Sequence, residues 1–240
     1  MRLVFLFLLI FAGNSPAEEL KIAAAANFTA PMRELVARFG ASTGHESVVS
    51  YGSTGKLYTQ IIHGAPYHLF LAADQEAPLR LQREGLGQTP HTYATGKLVL
   101  WSPDPDLIAG PDALRAAGVR RIAIANPKTA PYGGGALQII KALGWGAEIQ
   151  SKLVRGDNIA QTYQFVMTGN AQLGFVALSQ VIDSHRGSRW TPPQTLYDPI
   201  HQDAILLNRG KEHPAAEAFL RFLLGPEGQT IARRYGYGVK

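Results

Sequence analysis

One repeated pattern constrains the fold of this chain more than any other feature: a short apolar run, a turn, then a segment with helical spacing. Leu20–Ala26 (LKIAAAA) reads as a buried strand, and Met32, Leu35, Val36 and Phe39 follow at helical spacing, closing at Gly40. Ser47–Tyr51 is a strand, Leu57, Ile61 and Ile62 mark a helix, and Leu69–Ala73 is another strand. The series resumes with a strand at Arg121–Ala125 and a helix through Leu137, Ile140, Lys141 and Leu143. Next come a strand at Lys152–Arg155, a helix through Ile159, Tyr163 and Val166, and a strand at Leu173–Leu178. Strand–helix alternation predicts mainly parallel sheets flanked by helices, an α/β fold.

Two strands interrupt the alternation, Lys97–Trp101 (KLVLW) and Gln202–Asn208 (QDAILLN), with no tight turn beside either. The segment between them carries a strand–helix series of its own, and after the second the chain ends in helices through Ala215, Ala218, Phe219, Phe222 and Leu223, then Ile231 and Tyr235. The pattern predicts two lobes, residues 18–97 with 200–240 and residues 98–199, joined by two crossover strands that form a hinge. Pro103, Pro105 and Pro192-Pro193 supply loop chemistry beside the crossings. A hinge between two lobes makes a cleft, and clefts of this kind bind ligands.

Residues 1–17 are read as lying outside this fold. Met1-Arg2, the apolar run Leu3–Ala12 and the ending Gly13-Asn14-Ser15-Pro16-Ala17 form a secretory signal peptide with cleavage after Ala17. The run is shorter than the roughly 20 residues a transmembrane helix needs. Without cysteine there is no lipid-modified N-terminal residue, no disulfide scaffold, no thiolate metal site and no thiol nucleophile. An unanchored, exported protein of the periplasm is expected. The net charge of +5, with no run of five basic residues, gives nucleic-acid binding no support.

Chemistry is sparse. The seven histidines, at 45, 63, 68, 91, 185, 201 and 213, form no metal-binding pair on a helix face. Nucleotide loops and serine-hydrolase elbows are missing, and Gly133-Gly134-Gly135 reads as a flexible helix start. Ser53-Thr54-Gly55-Lys56 matches the S-x-x-K pattern of serine acylases, but its partner motifs are absent, and Lys56 is assigned to a solvated helix face. No catalytic residue, cofactor or bare metal cation is therefore expected.

What recurs is the junction after each strand. LKIAAAA leads into Asn27-Phe28-Thr29, VVSY into Gly52-Ser53-Thr54-Gly55, RIAIA through Asn126–Ala130 into Pro131-Tyr132-Gly133, and KLVRG into Asp157-Asn158-Ile159, each opening a helix. Such junctions sit at the carboxyl ends of parallel strands, where open α/β sheets bind ligands. A helix N-terminus offers unpaired N–H donors and about half a positive charge, so four of them facing one cleft suit a small dianion. Asn27, Ser53 and Thr54 are equally ordinary N-cap residues, and capping alone accounts for their types.

Several segments resemble the periplasmic molybdate-binding proteins of ABC transporters. They are AAAANFTAPM (23–32), YGSTGKLYTQIIHGAPYHLFLAAD (51–74), ATGKLVLWS (94–102), IANPKTAPYGGGA (124–136), LGFVALSQ (173–180) and RRYGYGVK (233–240). The resemblance implies a two-lobed type II periplasmic binding protein that holds a dehydrated oxyanion with hydroxyls and backbone N–H groups. Carried over, the ligands are Asn27 with the Ala26/Asn27 backbone and the Ser53–Thr54 pair in the first lobe, and Tyr132 and the Ile159 N–H in the second. Some members of that family have serine at the position of Asn27 and a tyrosine where Ala177 stands; Ala177 has no hydroxyl, and Tyr132 is the candidate to replace it.

The resemblance also implies a monomer that captures molybdate, with tungstate as a second ligand, and delivers it to an ABC permease in the inner membrane. Another tetrahedral oxyanion, sulfate or thiosulfate, and a serine acylase built on Ser53 and Lys56 are the alternatives.

Overall fold

The fold is described from a computed structural model covering residues 19–184 and 186–239; the signal-peptide segment 1–17 lies outside the described residues. The strands are β1 (Leu20–Ala25), β2 (Ser47–Gly52), β3 (Leu69–Leu71), β4 (His91–Gly96), β5 (Leu98–Ser102), β6 (Ile122–Ala125), β7 (Leu153–Gly156), β8 (Leu173–Ala177), β9 (Ser188–Trp190) and β10 (Ile200–Leu206). The helices are α1 (Thr29–Thr43), α2 (Thr54–Ile62), α3 (Glu76–Arg83), α4 (Pro131–Ala142), α5 (Gly146–Ile149), α6 (Ile159–Met167), α7 (Pro214–Leu224) and α8 (Pro226–Arg234).

The strands form two open five-stranded sheets, ordered β2-β1-β3-β10-β4 and β7-β6-β8-β5-β9. Both are mixed. In the first, β10 pairs antiparallel with β3 and β4, and in the second β5 pairs antiparallel with β8 and β9. The remaining pairs, β1 with β2 and β3 and β6 with β7 and β8, are parallel. The reversed strand of each sheet is the one the chain enters directly from the other sheet: β5 follows β4, and β10 follows β9. The two crossings therefore lie side by side, each lobe pairing its departing strand with its arriving one.

Strand–helix alternation accounts for β1, β2, β3, β6 and β7, each followed by an α-helix, but not for β4, β5, β8 and β9, which lead into no α-helix. β2, found where the sequence places a strand, is an edge strand whose residues are half-buried or exposed.

Each lobe has its own core. In the first, Met32, Leu35 and Phe39 of α1 pack with Phe219 and Leu223 of α7 over the β1–β3–β10 face, Phe39 meeting Phe219 edge-on at 5.2 Å. In the second, Ile139 and Ile140 of α4 and Ile159 of α6 pack on Ile122, Ile124, Leu173 and Phe175. Ala25, Ala26 and Ala73 of the first lobe belong to this second core, so apolar packing continues across the lobe boundary. The small side chains at the ends of β1 and β3 allow that close approach.

Candidate functional site

A small cavity opens where the strand ends of the two sheets meet. Its walls are Ala25, Ala26, Asn27, Gly52, Ser53, Thr54 and Ala73 from the first lobe and Ala130, Pro131, Tyr132, Asn158 and Ile159 from the second. All six residues singled out in the sequence, Ala26, Asn27, Ser53, Thr54, Tyr132 and Ile159, are in this wall. The four strand–helix junctions converge as their placement requires, and Ala73 after β3 adds a fifth. Its volume is about 10 Å³, far below the roughly 300–1,000 Å³ of pockets for drug-sized ligands.

Every side chain in the wall is neutral. Positive potential comes instead from the starts of α2, α4 and α6, whose first N–H groups have no place in the helical ladder. Neighbouring donors are engaged at each start. In α2 the Gly55 N–H donates to Thr129 O across the cleft at 2.9 Å. In α4, Pro131 has no N–H, and Gly133 and Gly134 donate to Ala130 O. In α6, Asn158 Oδ1 accepts from Ala160 and Gln161 at 2.9 and 3.0 Å. Thr54, Tyr132 and Ile159 present first-turn N–H groups in the cavity wall. Gly133 is needed for this approach: a Cβ there would lie 2.1 Å from Ala125 O, so the helix start seats directly on the end of β6. Gly135 is packed as closely, since a Cβ there would lie 2.7 Å from Leu98 Cδ1, whereas Gly134 faces open space; two of the three glycines thus serve close packing.

Ser53 and Thr54 play different parts. Ser53 occupies the N-cap position of α2 but caps nothing, and its Oγ is buried without a hydrogen-bond partner. Buried hydroxyls are usually satisfied, so an unpaired one in a cavity wall marks a place where a ligand completes the bonding. Thr54 Oγ1 accepts from the Ala73 N–H at 2.9 Å, bracing α2 against the end of β3 while its own proton stays available. Capping therefore does not account for either residue.

Asn27 and Tyr132 are held in a buried polar network. Asn27 Nδ2 donates to Gln202 Oε1 at 2.9 Å, Tyr237 Oη at 3.1 Å and Tyr132 Oη at 3.4 Å. Gln202 Nε2 donates to Tyr132 Oη at 3.2 Å, and Tyr93 Oη donates to Gln202 Oε1 at 2.9 Å. The Tyr132 phenol lies against Gly96, the last residue of β4, where a Cβ would come within 2.0 Å of the hydroxyl. Burial pushes the Tyr93 and Tyr132 hydroxyls well above the ordinary phenol range, and that of Tyr237 up to about 12. All three stay protonated at neutral pH. Gln202, Tyr93, Tyr237 and Ser179 also belong to this network; Ser179 and Tyr237 lie in the segments LGFVALSQ and RRYGYGVK and Gln202 opens the segment QDAILLN, but the sequence assigns none of the four to the site.

Lys56 is where the sequence reading needs correction. It is exposed, but not free on a solvated face: its Nζ lies 2.8 Å from Asp157 Oδ2, so it bridges the two lobes. Ser53 Oγ, without a partner, makes no hydrogen bond to Lys56. The S-x-x-K arrangement is thus not assembled as an activated nucleophile, for which serine and base must be in hydrogen-bond reach. Among the described residues, no group of three or more His, Cys, Asp or Glu is placed to hold a metal ion, and no helix is long and apolar enough to cross a membrane.

Comparison with known proteins identifies the family. Residues 20–238 match the family model described as bacterial extracellular solute-binding protein. The molybdate-binding protein ModA of Azotobacter vinelandii is 47% identical over 96% of this chain and 94% of its own length. ModA of Rhodobacter capsulatus is 47% identical over 92% of this chain and 88% of its own. The solved periplasmic molybdate-binding protein of Azotobacter vinelandii superposes with a TM-score of 0.89 at 38% identity, over 92% of this chain and 99% of that one. The fold, the cavity between its lobes and these relatives agree: the chain belongs to the bacterial extracellular solute-binding proteins.

Proposed function

We propose that this protein captures molybdate in the cavity between its lobes and delivers it to an ABC permease, working in the periplasm as a monomer without cofactor or catalysis. The observation that carries the proposal is the buried, unpartnered Ser53 hydroxyl in a wall of neutral residues at helix starts. Such a wall offers many hydrogen-bond donors and no counter-charge. It therefore binds an anion by donor number and placement, with the fractional charges of the helix N-termini supplying the electrostatics. The relatives named for molybdate support that ion over other tetrahedral oxyanions.

Selectivity follows from the donors. A fully deprotonated dianion presents only acceptors to the Thr54, Tyr132 and Ile159 N–H groups and the Ser53 hydroxyl. Phosphate is partly protonated near neutral pH and brings an O–H that this wall leaves unsatisfied, at a cost of about 1–3 kcal/mol. Tungstate has the same charge and shape as molybdate and is proposed as a second ligand.

Calorimetric titration of residues 18–240 with molybdate, tungstate, sulfate and phosphate tests the assignment. Tight binding of molybdate and tungstate, with phosphate much weaker, is expected. Sulfate binding more tightly than molybdate would reassign the ligand, and equal affinity for phosphate would contradict a wall made of donors.

A further inference from the structure

Asn27 is the cavity residue with the least local support. It sits in a three-residue turn, Ala26–Phe28, that has no side-chain cap. Two hydroxyls from distant parts of the chain bond its carbonyl. Tyr237 Oη donates to Asn27 O at 2.6 Å, and Ser179 Oγ donates to the same oxygen at 2.9 Å. The two hydroxyls are 3.0 Å from each other, and Tyr237 Oη also accepts from Asn27 Nδ2 at 3.1 Å. Tyr237 thus grips both the backbone and the side chain of Asn27.

Tyr237 and Ser179 come from opposite sides of the cleft. Ser179 lies two residues beyond β8, in the second lobe. Tyr237 follows α8 in the first lobe, and its segment is fastened to β4, the strand that leads to the first crossing. There the Thr95 N–H donates to Gly238 O at 2.7 Å and the Gly238 N–H to Thr95 O at 2.9 Å. The Tyr237 ring is set edge-on against Phe28 at 5.0 Å. All three residues are buried, Asn27 at 2%, Tyr237 at 4% and Ser179 at 7% exposure. Neither Tyr237 nor Ser179 is in the cavity wall.

We infer that Tyr237 and Ser179 are positioning residues for oxyanion binding: together they clamp Asn27 across the lobe boundary, so that its place in the cavity wall depends on both lobes being correctly seated. This role rests on the oxyanion-binding function proposed above. Deleting either hydroxyl leaves Asn27 O with a single donor and loosens the turn. Deleting both removes one clamp, not two, so the effects are coupled. The cost falls on the bound, closed form and is read mainly in ligand release.

The test uses residues 18–240 with Tyr237→Phe, Ser179→Ala and the double variant, titrated with molybdate and followed by stopped-flow release and thermal melting without ligand. Each single variant is expected to raise Kd about tenfold, the cost of an under-satisfied buried polar group, chiefly through faster release. The double variant is expected to fall well short of the product of the two single losses, and Ser179→Thr, which keeps the hydroxyl, to restore binding. A purely structural role would lower the melting temperature of the ligand-free protein and leave Kd unchanged; that result overturns the inference, as does full additivity. Should Tyr237→Phe fail to fold, Ser179→Ala and Ser179→Thr decide the question on their own. A parent that binds none of the oxyanions overturns the proposed function and this role with it, whereas a parent that binds and variants that match it overturn this role alone.

Discussion

Lys56 Nζ and Asp157 Oδ2 stand 2.8 Å apart, joining the first turn of α2 to the residue two before α6. These are two of the helices whose starts face the cavity, so the ion pair ties one wall to the other. Both side chains are more than half exposed, at 51% and 62%. Pairs this exposed contribute about 0.2–1 kcal/mol and are weakened by salt. Lys56→Ala and Asp157→Asn are each expected to speed ligand release about two- to fivefold. The difference from the parent is expected to shrink at high salt. Release measured by stopped flow at low and high ionic strength checks this, and a Lys56→Ala protein with parental release would mean that the pair contributes nothing to closure.

Ser53→Ala is expected to separate stability from binding. The Ser53 hydroxyl is buried without a partner, so removing it takes away a desolvated polar group, and the ligand-free protein is expected to melt at the same temperature or slightly higher. Oxyanion binding is expected to fall about tenfold or more, the loss of a charge-assisted hydrogen bond of roughly 1.5–3 kcal/mol. Ser53→Asp is expected to abolish binding, since a carboxylate there competes for the same N–H groups. Calorimetry and melting curves on the same samples check both effects.

Gly96→Ala is expected to reach the site from the hinge. The new Cβ would fall 2.0 Å from Tyr132 Oη and 2.5 Å from Gln202 Nε2, two buried groups with little room to yield. Displacing the phenol shifts the start of α4, whose Tyr132 N–H lines the cavity. Overpacking of this kind costs about 1–3 kcal/mol. Lower thermal stability and a weakened response to molybdate are expected together.

Asp74 sets a pH dependence. Burial raises its pKa; the Ala77 N–H, which Asp74 Oδ1 accepts at 2.9 Å, opposes the shift, and the charges of Glu76 and Asp203 add to it. The folded state therefore holds the Asp74 proton more tightly than the unfolded chain. This favours folding at low pH, and the advantage is lost as pH rises through the folded pKa. Asp74→Asn keeps the acceptor for Ala77 without the charge. It is expected to raise the melting temperature at neutral pH, with the gain fading below about pH 4, where the unfolded carboxyl is protonated too. Melting curves at several pH values check the sign.

The parallel halves of both sheets are legible because five of their six strands, all but β8, lead into an α-helix. The cavity wall was legible for the same reason: Asn27, Ser53, Tyr132 and Ile159 all stand at strand–helix junctions, and topology brings such junctions to one edge. The strands β4 and β9 were not, because they turn into the other lobe instead of into a helix. The roles of Tyr237 and Ser179 are not legible even though their segments are, since they arise only when residues 152 and 210 positions from Asn27 fold onto it. The Lys56 pair was missed for a related reason. Periodicity places a lysine on the outside of a helix, but it does not say that a second lobe arrives there.

The proposed function requires a neutral wall of helix-start N–H groups and the Ser53 hydroxyl to hold the oxyanion between the lobes. A crystal structure of residues 18–240 grown with molybdate, with molybdenum located by its anomalous scattering, tests this most directly. A single molybdenum is expected in the cavity, its oxygens about 2.7–3.1 Å from Ser53 Oγ and from the Thr54, Tyr132 and Ile159 N–H groups. Molybdenum bound instead beside charged side chains on the surface, with the Ser53 hydroxyl still unpaired, would contradict it.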